Sequence, residues 1–137
     1  MSVINTRALL AMAEEAREKS YSPYSGITVG AALLTREGNV YTGANIENAS
    51  YSPTICAERV AFFKAINEGE RDFIAIAIAG GEKDNPSKAD FPPCGVCRQV
   101  MGEFCSSDFI VIWGNGEKIT KKTLGEILPF GFDKTNL

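Results

Sequence analysis

Histidine is absent from this 137-residue chain, and its absence excludes several kinds of chemistry. No Ser-His-Asp or Cys-His nucleophile system, no HExxH metalloprotease helix and no imidazole-held metal site can be built from it. Proton transfer near neutral pH then falls to a carboxylate, a lysine, a thiol or a metal-activated water. Basic charge is also scarce, with 14 Lys+Arg against 17 Asp+Glu for a net charge of −3. That balance is poor for gripping a phosphate backbone. Long apolar runs are missing too. The longest, Phe73 to Ala79, falls far short of the roughly 18 residues that a membrane span needs. The opening MSVINTRALL lacks the basic-then-apolar pattern of a secretion signal. A cytoplasmic protein with no membrane and no nucleic-acid partner is therefore expected. In that reducing compartment, four cysteines point to metal binding or catalysis before disulfides.

The remaining composition, 45% hydrophobic and 23% charged, is that of a soluble globular domain. The length suits a single domain over 1–137 with a core of its own. Residues 3–19 have the period of an amphipathic helix, with Ala8, Leu9, Met12, Ala13 and Ala16 on one stripe and Arg17 off it. Pro23 and Gly26 then break the chain into a turn. Thr28–Thr35 and Val40–Ile46, joined by Arg36-Glu37-Gly38-Asn39, read as a β-hairpin. Thr54–Glu68 reads as a helix that stops at Gly69. Phe73–Ala79 reads as a core strand, and Gly80–Pro93, rich in glycine, proline and polar residues, as a long loop. A helix over Gly95–Phe104, a strand over Asp108–Trp113, a turn at Gly114–Glu117 and a short helix over Thr123–Ile127 complete the chain. Strand–helix–strand crossovers imply parallel pairing of the later strands, whereas the hairpin is antiparallel. The expected fold is α/β, a three-layer α/β/α sandwich around a mixed, roughly five-stranded sheet.

Three cysteines stand in two short clusters, Cys56-Ala57-Glu58-Arg59 and Pro93-Cys94-Gly95-Val96-Cys97-Arg98. A Cys-x-x-Cys pair alone fits a redox dithiol, half a zinc site or ordinary small core residues. Here each cluster opens a helix just after a proline-containing turn. A helix N-terminus favours thiolates, and two such mouths facing one ion account for all three residues. Three thiolates leave one position of tetrahedral zinc open, which is the catalytic arrangement. Cys105 is the rival fourth ligand. On a continuous helix it lies about 12 Å along the axis from Cys97, too far to share an ion, and reads as a buried helix-end residue. Glu58, two positions after Cys56, can aim a carboxylate beside the open position and serve as the proton carrier. Arg59 either pairs at the surface or donates to the sulfurs and offsets their excess negative charge.

Cys-Ala-Glu followed by Pro-Cys-x-x-Cys is similar to the zinc-deaminase signature in its three-cysteine form. With Tyr21-Ser-Pro-Tyr-Ser25, Val29-Gly-Ala-Ala-Leu33, Thr42–Tyr51, Phe63-Lys-Ala65, Pro93–Gln99 and Leu128-Pro129, the chain closely resembles the small homotetrameric cytidine deaminases, from about Tyr21 to Phe132. The resemblance implies one zinc ion per subunit on Cys56, Cys94 and Cys97, with Glu58 as proton shuttle. It implies that Asn45 and Glu47 hold the ribose and that the amide of Ala57 meets the pyrimidine carbonyl. Ile27 would cover the base where relatives commonly carry an aromatic ring, and Ala49, Tyr51 and Phe132 would complete pockets across subunits of a homotetramer. The implied reaction is hydrolytic deamination at C4 of cytidine and 2′-deoxycytidine, within nucleoside salvage. Rivals are a deaminase of a nucleoside-like antibiotic such as blasticidin S, a deaminase of polynucleotide cytosine, a zinc-stabilised interaction module and a thioredoxin-like dithiol.

Overall fold

The structure, a computed structural model, describes residues 4–137. Helix α1 covers Thr6–Ala16, with Asn5 as N-cap accepting from the Ala8 amide. A 3-10 turn over Arg17–Lys19 follows. The expected helix start at residue 3 lies outside the described residues. Strands β1 (Ile27–Thr35) and β2 (Val40–Ala44) form the expected hairpin. Helix α2 (Ala57–Asn67), strand β3 (Phe73–Glu82), helix α3 (Gly95–Phe104), strand β4 (Ile110–Gly114), strand β5 (Ile119–Thr123) and the single-turn helix α4 (Leu124–Ile127) follow in order.

The sheet order is β2-β1-β3-β4-β5. Its pairs are antiparallel except β3–β4, which is parallel. The crossover through α2 therefore carries the chain past β1, so β2 and β3 run the same way without pairing. This corrects the expectation that both crossovers join paired strands. The fifth strand of the expected sheet is β5, in a segment to which the sequence pattern assigns no strand. Its sequence ITKKT is an exposed edge with two lysines, which blunts further strand addition and hides the apolar alternation that marks core strands. Strand β3 also runs on to Glu82, because Gly80 and Gly81 stay in register with Val29 and Thr28. The expected loop is shortened by that much.

Period-2 alternation sorts side chains to the two faces. Val29, Ala31, Leu33, Ile76, Ile78 and Val111 meet α2 and α3 through Phe62, Ala61 and Met101. On the other face, Ala32, Ala75, Ala77, Ala79 and Ile112 meet Leu9, Leu10 and Ala13 of α1. This is the three-layer mixed α/β sandwich. The buried stripe of α1 is turned from the expected one, since Ala8 and Met12 are exposed and Leu10 is buried. Arg17, placed off the stripe, is only 6% exposed. Its Nε donates to the Thr28 carbonyl and hydroxyl, both at 3.1 Å. The guanidinium also donates to Glu14 at 2.7 Å and to the Glu82 carbonyl at 3.0 Å. A buried arginine with these acceptors is a clasp between α1, β1 and the end of β3.

Candidate metal centre

Cys56 and Cys94 are the N-cap residues of α2 and α3, and Cys97 sits in the first turn of α3. The prolines and extended backbone before each cap deliver both helix mouths to the same side of the sheet. Helix α2 therefore starts at Ala57, not at Thr54. Ile55 is instead bridged to Ile46, with amide-to-carbonyl bonds of 3.0 and 2.9 Å.

The three thiol sulfurs lie within 4.8 Å of one another, and Cys56 and Cys94 are 3.8 Å apart. Tetrahedral ligands at about 2.3 Å from zinc stand about 3.8 Å apart, so the donor set has the spacing and chemistry for that ion. Cys105 is outside this cluster. It caps the C-terminal end of α3, packs on the core and is pushed up to about 12 by burial. Among the described residues, no other group of metal-ligating side chains has this spacing.

The centre is electrostatically lopsided. A hydrogen bond from the Cys97 thiol, opposed by burial and reinforced by Arg59 and Cys94, brings Cys56 down to about 5. Cys97 is correspondingly held well above the usual thiol range, first by the hydrogen bond it donates to Cys56 and then by burial. Arg59 donates to the Cys56 sulfur at 3.5 Å. Burial works against its charge, but the bonds to Cys56 and Cys97 outweigh that and raise its pKa. Its Nε is buried without a partner. Glu58 is 4% exposed and has no ion pair to Arg59 among the described residues. Burial pushes its carboxyl up to about 7, with a bond to Cys97 working the other way. A carboxyl near that value can both take and give a proton at neutral pH.

Asn45 and Glu47 lie just past the end of β2, where the segment 45–47 bonds to Tyr21 through the Asn45 carbonyl (3.0 Å) and the Glu47 amide (2.8 Å). Asn45 is 8% exposed, while the Glu47 carboxylate is held below the usual range by the Ser25 hydroxyl. Ile27 begins β1 and packs partly against the core on the α2 side. Ala57 is the first residue of α2 and is fully buried. Ala49 is exposed, Tyr51 is 76% exposed with a positive φ of 53°, and Phe132 is 59% exposed. Within one chain, then, the three cysteines, Glu58 and Arg59 form one constellation, and Ala49, Tyr51 and Phe132 lie on open surface. Sequence reasoning missed Gln99 as the side chain that holds Phe132, through a 2.7 Å bond to its carbonyl. It also missed Ser25 as a partner of Glu47. Ser25 stands within the quoted Tyr21–Ser25 motif, which was the available signal.

A thiolate-only zinc site with a buried carboxyl at its edge defines a class, the zinc-dependent hydrolytic deaminases. The family model for the cytidine and deoxycytidylate deaminase zinc-binding region matches residues 4–113. The chain belongs to the cytidine and deoxycytidylate deaminase family. A cytidine deaminase of Halalkalibacterium halodurans is 49% identical over 130 residues, covering 94% of this chain and 95% of the relative. One from Sporosarcina psychrophila is 44% identical over 135 residues, covering 98% and 96%. The crystal structure of cytidine deaminase from Burkholderia pseudomallei superposes with a TM-score of 0.84 at 43% identity, covering 94% of this chain and 100% of that one. One zinc ion per subunit, held at the three-cysteine cluster, fits both the family and the sulfur spacing.

Proposed function

We propose that the chain deaminates cytidine and 2′-deoxycytidine to uridine and 2′-deoxyuridine, releasing ammonia, in cytoplasmic nucleoside salvage. The observation that carries this reading is Glu58, almost wholly buried beside three clustered thiols and with no ion pair among the described residues. When bound on Cys56, Cys94 and Cys97, zinc supplies the Lewis acidity that makes water nucleophilic near neutral pH. Glu58 accepts one proton of the attacking water and passes it to ring N3 as the oxygen bonds to C4. It then takes the remaining proton from that oxygen to the amine as the C4–N bond breaks, leaving the C4 carbonyl and ammonia. Arg59 offsets the negative charge of the sulfurs from outside. The Ala57 amide meets the pyrimidine carbonyl, Asn45 and Glu47 take the sugar hydroxyls, and Ile27 covers the base. An aliphatic wall loses ring stacking worth about 0.5–1.5 kcal/mol but still excludes water from the base.

A homotetramer completes each pocket with Ala49, Tyr51 and Phe132 of neighbouring copies. Support comes from the exposure of Tyr51, Phe130 and Phe132 in the single chain, where large apolar side chains gain little by facing water. The deciding experiment assays wild type and Glu58→Ala for conversion of cytidine to uridine, with zinc content measured in both. The variant retains zinc and loses turnover by at least about 10²-fold. Zinc-loaded wild type that leaves both nucleosides unchanged overturns the reading. So does faster deamination of an oligonucleotide than of free cytidine.

A further inference from the structure

Asn45 and Glu47 have their side chains engaged within the chain, and both lead to Ile27. Asn45 Oδ1 accepts from the Val29 amide at 2.9 Å and from Ser20 Oγ at 2.6 Å. Its Nδ2 donates to the Ile27 carbonyl at 2.9 Å. One oxygen of Glu47 accepts from the amides of Tyr24 and Ser25 at 3.0 and 3.1 Å, and the other from the Ser25 hydroxyl. Ser25 Oγ in turn accepts from the Ile27 amide at 2.9 Å. The carbonyl of Ile27 is thus held by Asn45, and its amide is held by Glu47 through one hydroxyl.

A serine hydroxyl has one proton and two lone pairs. With its proton committed to a carboxylate, which is a strong charge-assisted bond, Ser25 Oγ has its lone pairs left for the Ile27 amide. The donated proton also makes that oxygen a better acceptor. On the far side, the Gly26 carbonyl is fixed by the Lys83 amide at 2.8 Å. That carbonyl and the Ile27 amide are the two edges of one planar peptide unit, and Ser25 holds the edge that answers to Glu47.

We propose that Ser25 is a positioning residue that relays the grip of Glu47 on sugar hydroxyls to Ile27, so that sugar recognition sets the wall over the base. The relay rests on the deaminase reading above and deepens it. It makes the pocket selective for a base that carries its sugar, beyond whatever affinity the hydroxyl contacts contribute.

The test measures kcat and KM for wild type, Ser25→Ala, Ser25→Thr, Glu47→Ala and the Ser25→Ala/Glu47→Ala pair. The substrates are cytidine and 1-methylcytosine, which keeps the base and lacks the sugar. Ser25→Ala lowers kcat/KM for cytidine about tenfold, the scale of a hydrogen bond to a charged group. It leaves 1-methylcytosine within about twofold, and Ser25→Thr restores most of the loss. The double variant falls within about threefold of Glu47→Ala alone, since coupled sites are not additive. Additive losses, equal losses on both substrates, or a threonine variant no better than alanine overturn the relay.

Amide exchange at Ile27 provides a readout independent of turnover. It quickens in folded Ser25→Ala and in Glu47→Ala, and unchanged exchange in Ser25→Ala overturns the proposal. Wild type that ignores cytidine would sink the deaminase reading instead, leaving exchange to decide the relay.

Discussion

Gly30 on β1 and Gly43 on β2 let a helix backbone rest directly on the sheet, Gly30 beneath α1 and Gly43 beneath α2. A Cβ at Gly30 would stand 1.9 Å from the Ala13 carbonyl oxygen. One at Gly43 would stand 2.5 Å from the Ala57 carbonyl oxygen and 2.6 Å from the Ala61 amide. The device is the same, but the faces differ in what they leave open. Beneath α1 the contacts are small and apolar, and the buried arginine nearby, Arg17, has every nitrogen on an acceptor. Beneath α2 the helix mouth carries Cys56 and Glu58, and Arg59 keeps a buried Nε without a partner. Each face keeps one unpartnered buried polar atom near its arginine, Glu14 Oε2 on one and Arg59 Nε on the other, but only on the first is the arginine itself fully engaged. Close packing thus gives stability on the first face and, on the second, also places the candidate zinc ligand Cys56 and the proposed proton carrier Glu58.

The strongest way to break this comparison is Gly43→Ala. Its new methyl meets backbone, so the start of α2 must lift and carry Cys56 and Glu58 with it. A misplacement near 1 Å costs about 10²-fold in turnover, and steady-state kinetics on zinc-loaded protein will show it. Gly30→Ala strains α1 instead and destabilises by about 1–3 kcal/mol, read from urea unfolding. Turnover per folded, metal-loaded molecule stays at the wild-type level; a fall there would show that the faces are not separable. The smallest effect belongs to Cys105→Ser, on the site face but outside the sulfur cluster. Zinc content and turnover hold, and stability falls by about 1 kcal/mol or less for placing a hydroxyl where a half-buried thiol packed on the core. After zinc is stripped, Cys105 also reacts more slowly than Cys56 at pH 8. The thiolate is the nucleophile, and at that pH a thiol pushed up to about 12 is almost wholly protonated.

Much of this arrangement is legible in the chain. The hairpin, α3 and the parallel pairing of β3 with β4 across α3 follow from periodicity and turn residues, because long periodic segments report their own packing. The phase of α1 does not. Alanine and methionine on its flank carry little information about which side is buried, and Arg17 is placed by acceptors on β1 and β3 that are distant in sequence. Strand β5 escapes for a related reason, as an edge strand with lysines has no apolar signature. The place of β1 between β2 and β3 is likewise a tertiary outcome. At the site, cysteine spacing brought the three sulfurs and Glu58 together on paper because helix mouths are local features. The internal bonds of Asn45 and Glu47 were hidden, since a polar pair at a strand end reads the same whether it faces a ligand or its own neighbouring loop.

Neither Cys56 nor Cys94 makes a side-chain bond to the amides of the helix it begins. Serine or aspartate at these N-caps would accept from those amides and add about 1 kcal/mol to each helix. The chain forgoes that at both sites, and zinc held by the same two residues would tie down the helix beginnings instead. Metal loading and the setting of α2 and α3 against each other are therefore one linked equilibrium, and fraying of the apoprotein starts at the residues that define its chemistry.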